Sequence, residues 1–143
     1  MIQSDRATFS VHSSETDPAL ITRVLGVEPT RVVLAGTRRE SGKPRPDNHW
    51  VVDGPWRSNT EADQTGTGAL RDLLARLGPA AGNLQKLPKD CDARIWWSAN
   101  SDSTQGGFVL PADLSYAIAE LGIDVYVTVY LGADDYGDAE GRF

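Results

Sequence analysis

Few residues in this chain are equipped for bond chemistry: one cysteine, Cys91, and two histidines, His12 and His49. Nucleophilic catalysis needs a nucleophile, a base and a group that orients the base. Cys91 stands between Asp90 and Asp92, whose charges raise a thiol's pKa and keep it protonated. The histidines lack the H-x-x-x-H or H-E-x-x-H spacing of a helical metal site. His12 ends one expected strand and His49 begins another, so they meet if those strands pair. Asp134, Asp135, Asp138 and Glu140 are acidic enough to suggest calcium, but "DDYGDAEG" lacks the twelve-residue loop closed by a bidentate glutamate. The sequence therefore predicts no catalytic residues, no metal site and no cofactor. A general base at either histidine ranks below the binding functions that follow.

Two loops are candidates for binding. "SDSTQGGFVL", Ser101 to Leu110, is the densest run of small polar and glycine residues, but it has neither a G-x-G-x-x-G nor a G-K-[ST] context. Its Ser and Asp residues bend a chain by bonding their own backbone, and Gly106 and Gly107 supply positive φ or a bulge. "GGFVL" is expected to extend a short strand against "RIWWS", with Phe108 and Leu110 facing the core. Asp102 and Gln105 are its candidate ligand contacts. The second loop holds Arg31, Arg38, Arg39, Lys43 and Arg45 among Gly36, Gly42, Pro44 and Pro46. It reads as a mobile, solvated loop, with a phosphate site as the alternative.

The elements that hold these residues follow from periodicity. "ATFSVH", residues 7–12, alternates as a half-buried strand. In "TDPALITRVLGVEP", Asp17 is a natural N-cap and Pro18 takes the first helical position. Ile21, Val24 and Leu25 share a face, and Gly26 ends the helix. A short strand at "RVVLAG" and a second strand, "HWVVDG", precede a helix striped by Leu70, Leu73, Leu74 and Leu77. A weaker helical segment is expected over 80–87 and a third strand at "DARIWWS". Pro111 opens a last helix, with Asp113 in its first turn and Leu114, Ala117, Ile118 and Leu121 on one face; Gly122 caps it. "DVYVTVY" alternates valines against Tyr126, Thr128 and Tyr130. The order β-α-β, extra helix, β-α-β predicts an α+β fold: a ferredoxin-like split β-α-β sandwich with an inserted helix between the second and third core strands. It is expected to span residues 1–132 as one domain, with 133–143 an acidic disordered tail.

A length of 143 residues, 40% of them hydrophobic and 24% charged, suits one soluble globular domain. No apolar run approaches the roughly 20 residues of a membrane helix. "MIQSDRATFSVHS" has no secretory pattern, so the expected compartment is the cytoplasm. The net charge of −6 repels phosphate backbones and argues against nucleic acid as partner.

Several segments together resemble a bacterial family, domain of unknown function 4279. They are the L-G-x-x-P-T stretch (Leu25, Gly26, Pro29, Thr30), Trp50 after the basic loop, and G-F-x-L (Gly107, Phe108, Leu110) before the last helix. The likeness runs from about Thr8 to Tyr130. It implies an α+β domain and assigns no catalytic residue.

The strongest functional signal is a face. If Phe9, Ile95, Trp97 and the valines of the last strand meet the helices, then Thr8, Ser10, His12, Arg94, Trp96, Ser98, Tyr126, Thr128 and Tyr130 share the opposite side. Aromatic rings, an arginine and hydroxyls are enriched at interfaces. That side must meet water, the inserted helix, a second copy of the chain, another protein or a ligand. The expected function is a non-enzymatic interaction module that binds a partner protein, through this face or the aromatic "HWVVDGPW" edge, as immunity proteins and inhibitors do, or itself as a homodimer. The alternative is a sensor or carrier in which Arg31, Arg38 and their neighbours, Trp50 and the 101–107 loop close over an anion.

Overall fold

The structure, a computed structural model, describes residues 1–132; the expected tail lies outside them. In chain order the elements are β1 (Ile2–Ser13), α1 (Pro18–Leu25), β2 (Arg31–Val33), β3 (Asn48–Val52), β4 (Arg57–Ser58), α2 (Gly68–Arg76), β5 (Cys91–Ser101), α3 (Ala112–Leu121) and β6 (Val125–Tyr130). The start of α1 follows its chemistry: Asp17 accepts a 2.9 Å hydrogen bond from the Ala19 N–H, and Gly26 closes the helix at φ 68°. That is left-handed backbone which a side chain disfavours. The weak helix expected over 80–87 is instead two 3-10 turns, Gly78–Ala80 and Leu84–Lys86. Gly82, at φ 81° between them, prevents a continuous helix.

The sheet runs β2-β3-β1-β5-β6, with β4 beside the first residues of β1. β1 is antiparallel to both β3 and β5, and β5 is parallel to β6. This differs from the interleaved order of a split β-α-β sandwich, in which strands of one unit are separated by a strand of the other. Here β5 and β6, joined through α3, lie side by side. The reason is the length of β1, whose flanks are filled by β3 and β4 on one side and by β5 on the other. The outer edge of β5 is then the place left for β6. The inserted helix is present as expected, since α2 stands between β3 and β5.

All three helices pack on one face of this sheet. Phe9 and Val11 of β1, Trp50 and Val52 of β3, and Ile95, Trp97 and Ala99 of β5 form one apolar core with Ile21 and Leu25 of α1, Leu70, Leu73 and Leu74 of α2, and Leu114 and Leu121 of α3. Each large aliphatic side chain buried this way stabilises the fold by about 1.5–3 kcal/mol. The leucine-striped α2 therefore joins the core layer, and among the described residues no helix covers the other face, called the open face. A register shift between Ile2 and Ser4 lets Ile2 and Asp5 both point into the core despite their odd spacing.

Asp5 is 1% exposed. Its carboxylate accepts from the Ala69 and Leu70 N–H groups at 2.9 and 3.0 Å and from the Trp97 indole at 2.9 Å. It thus satisfies the first turn of α2 from a neighbouring strand. Burial pushes its pKa above the ordinary value, outweighing the lowering by these three donors.

Candidate functional site

Strand register assembles the open face in rows. Thr8, Trp96 and Tyr126 lie side by side, as do Ser98 and Thr128 with Arg6 opposite Ser98, and then Asn100 with Tyr130. Toward the other end Arg31 pairs with Val51, Val51 with Ser10 and Ser10 with Arg94. His12 lies between His49 and Asp92. Alternation along each strand puts these residues opposite the core.

The aromatic part is a stack. The rings of Trp96 and Tyr126 are 4.9 Å apart at 41°, and the Arg94 guanidinium sits 4.8 Å from the Tyr126 centroid and 5.9 Å from that of Trp96. Arg94 is also ion-paired with Asp92 at 2.9 Å, and the Trp96 indole donates to Ser10 Oγ at 3.1 Å. Trp96 and Tyr126 nevertheless remain 41% and 40% exposed. For rings of this size that leaves a large apolar area in water.

Beside the stack lies a groove of about 380 Å³, lined by Trp96, Tyr126, Tyr130, Thr128 and Ser98 and, on the β1 side, by Arg6, Thr8, Arg31 and Asp53. Asp53 Oδ1 accepts from Thr8 Oγ1 at 2.8 Å and from Arg6 Nη2 at 3.2 Å, and its Oδ2 is 3.6 Å from Arg31 Nε. Arg6 and Asp53 were not legible as site residues from the sequence. Asp53 is in phase with His49 and Val51 on "HWVVD", which was the available signal. Arg6 lies before the expected strand start, and its place emerges only because β1 begins at Ile2.

His12 and His49 do meet, stacked with centroids 4.1 Å apart and planes within 9°. Burial lowers the His49 pKa most, with the His12, Arg45 and Arg31 charges adding and Asp47 opposing. The Cys91 thiol is pushed up by burial first and by Asp90 second, while a hydrogen bond with Thr16 opposes. Asp92, offered in sequence as its other flanking charge, turns to Arg94 instead. Asp90 accepts from Thr16 Oγ1 at 2.6 Å and from the Thr16 and Glu15 N–H groups at 2.8 and 2.9 Å, tying β5 to the turn before α1. These bonds bring its pKa down to about 2.

Other expected site residues stand elsewhere. Trp50 is fully buried, edge-on to Phe9 at 5.8 Å, with its indole donating to Thr22 Oγ1 at 2.9 Å; it is core. Arg38 bonds its own loop through the Gly42 carbonyl. That loop is an exposed hairpin arm, with Gly36 N–H to Arg45 O at 2.8 Å and Arg39 N–H to Lys43 O at 2.9 Å. Asp102 and the Gln105 carbonyl accept from the Met1 nitrogen at 2.9 and 3.1 Å, and Asp102 also accepts from Gln3. The 101–107 loop thus folds over the start of β1, beside Ile2. The arginine hairpin leaves β2 beyond the row that holds His12. Ten residues of extended strand, roughly 30 Å, separate the two loops, so they do not close over one ligand with Trp50.

The stretch after that loop forms no strand with β5, because both flanks of β5 are taken by β1 and β6. Phe108 and Leu110 do not face the core as expected; each is 44% exposed, although the Phe108 ring meets Trp97 at 4.8 Å. Gly106 is not at positive φ. It answers a close approach instead, since a Cβ there would stand 3.1 Å from Val129 and 3.3 Å from Leu131.

Among the described residues no group of three or more His, Cys, Asp or Glu side chains is placed to hold a metal, and no helix is long and apolar enough to cross a membrane. No curated protein and no solved structure matches the chain. A family model described as Domain of unknown function (DUF4279) matches residues 3–132, nearly its whole length. The chain belongs to that family.

Proposed function

We propose that the protein is a non-enzymatic interaction module that binds a partner protein through the open face of its sheet, in the manner of a small acidic inhibitor or immunity protein. One observation carries the reading. The helices cover one face only, and the other presents Trp96 and Tyr126, each about two-fifths exposed, under Arg94. Tryptophan, tyrosine and arginine are the residues that most often dominate binding energy at interfaces. The floor between the rings is made of short hydroxyl side chains, which lets a partner approach the sheet closely.

A photo-crosslinking residue at position 128, on this face, and another at Tyr116, on the exposed side of α3, test it. In the cells of origin, crosslinks to one defined protein from 128 and none from 116 support the reading. Crosslinks from 116 alone contradict it. A second reading, a carrier or sensor of a small anion, draws on the arginines that line the groove. A melting temperature raised by one anionic metabolite, and unmoved by the same metabolite after Arg31→Gln, favours it.

A further inference from the structure

The two edges of the sheet are protected unequally. At one edge β2 is three residues long, carries Arg31 and runs on into the hairpin arm. A short, charged edge guards a sheet against pairing with a foreign strand. At the other edge β6 runs for six residues, Val125–Tyr130, with no charge, no proline and no register shift. Its register fixes which backbone groups face outward. Val125 pairs with Ile95 in the parallel ladder, and the Ile95 N–H donates to the Asp124 carbonyl at 3.2 Å. In such a ladder every second residue turns both its backbone groups to the neighbouring strand. Asp124, Tyr126 and Thr128 therefore face β5, and Val125, Val127 and Val129 turn their N–H and C=O groups outward. Among the described residues none of those outward groups has a hydrogen-bond partner. Side-chain exposure points to the same place. The three valines lie on the helix-covered side, in register with Ile95, Trp97 and Ala99. Val125 and Val129 pack against the core, but Val127, between them, is 52% exposed.

We propose that the β6 edge is a dimerisation surface, and that its occupant is β6 of a second copy of the chain, antiparallel across a two-fold axis at Val127. The strand is its own complement in that register. Val127 lies opposite Val127 of the second copy and Val125 opposite Val129, so every outward N–H meets an outward C=O. On the helix side valine meets valine, which covers Val127. On the open side Tyr126 lies opposite Thr128, a ring beside a β-branched side chain, the kind of cross-strand pair that favours a sheet. The nearest charge, Asp124, precedes the strand, and antiparallel pairing carries its two copies to opposite ends of the seam. A foreign strand would have to supply the same uncharged alternation; a second copy supplies it by symmetry. The axis stands perpendicular to the sheet, so both helix layers stay on one side and the two open faces join. The proposal does not rest on the open-face reading.

Sedimentation equilibrium and amide hydrogen exchange of the full chain test it, with Val127→Lys as the variant. Wild type is expected to reach twice the chain's mass as concentration rises. Over the same range the Val125, Val127 and Val129 amides should come to exchange roughly tenfold more slowly, a shift the size of one hydrogen bond. The Tyr126 and Thr128 amides, already bonded to β5, should change less. Val127→Lys sets two ammonium groups against each other at the axis and should hold the chain a monomer. Its amide spectrum should match that of dilute wild type away from position 127, which will show that the variant folds. A monomer at every concentration overturns the proposal. So does a dimer that survives Val127→Lys, because its seam lies elsewhere. Slow exchange of the three valine amides in a monomer, independent of concentration, assigns the edge to another segment of the same chain and overturns the second copy. The open-face reading is decided separately. A crosslink from position 128 to a second copy that Val127→Lys abolishes belongs to this edge, whereas a crosslink to a different protein that survives the substitution belongs to the open face.

Discussion

Trp96 and Trp97 are adjacent in sequence and opposite in fate. Trp97 is 2% exposed, with its indole on the buried carboxylate of Asp5; Trp96 is 41% exposed, with its indole on Ser10. Strand alternation sends one into the helix-covered core and the other onto the open face. The pair shows that this sheet buries aromatic rings on one side for stability and leaves two rings, Trp96 and Tyr126, partly in water on the other. The two faces should therefore answer differently to substitution.

The largest contrast is between those two residues. Trp97→Ala should cost about 3–5 kcal/mol in urea unfolding, whereas Trp96→Ala should cost no more than about 1 kcal/mol. Equal losses would mean that the open face is also structural. Asp5→Ala comes next. It leaves two helix N–H groups and an indole without an acceptor, and should cost about 3 kcal/mol.

Acid unfolding separates two carboxylates by sign. Asp90, held at about 2, contributes stability above the ordinary carboxylate range that is lost as pH falls through its folded value. Asp5, raised, contributes most below that range and loses it as pH rises. Asp90→Asn should flatten the loss of urea midpoint between pH 5 and 2, and Asp5→Asn should steepen it. The smallest effect belongs to the histidine stack. With the His49 pKa lowered, the unfolded chain takes up the proton first, so stability should fall as pH drops through about 6.5. His49→Gln should remove that slope.

The same contrast explains what could be read in advance. The open face was legible because period-two alternation in "ATFSVH", "DARIWWS" and "DVYVTVY" assigns side chains to faces without knowledge of strand order. The Asp17 cap and the Gly26 stop were legible because they are local chemistry. Strand order was not, since it depends on how far β1 extends and hence on which flanks are occupied. Trp50 was misplaced because, next to a basic loop, an aromatic looks like a contact residue, and only the β1–β3 register turns it inward. Arg6 and Asp53 meet across 47 residues of chain, a pairing that register creates and spacing does not reveal.

The central claim is that the face left bare by the helices binds a protein. Native mass spectrometry of the untagged chain, purified gently from its own cells as wild type, Trp96→Ala and Tyr116→Ala, tests it most directly. The account predicts a second protein retained by wild type and Tyr116→Ala and lost from Trp96→Ala. A partner retained equally by all three, or none retained by any, would contradict it.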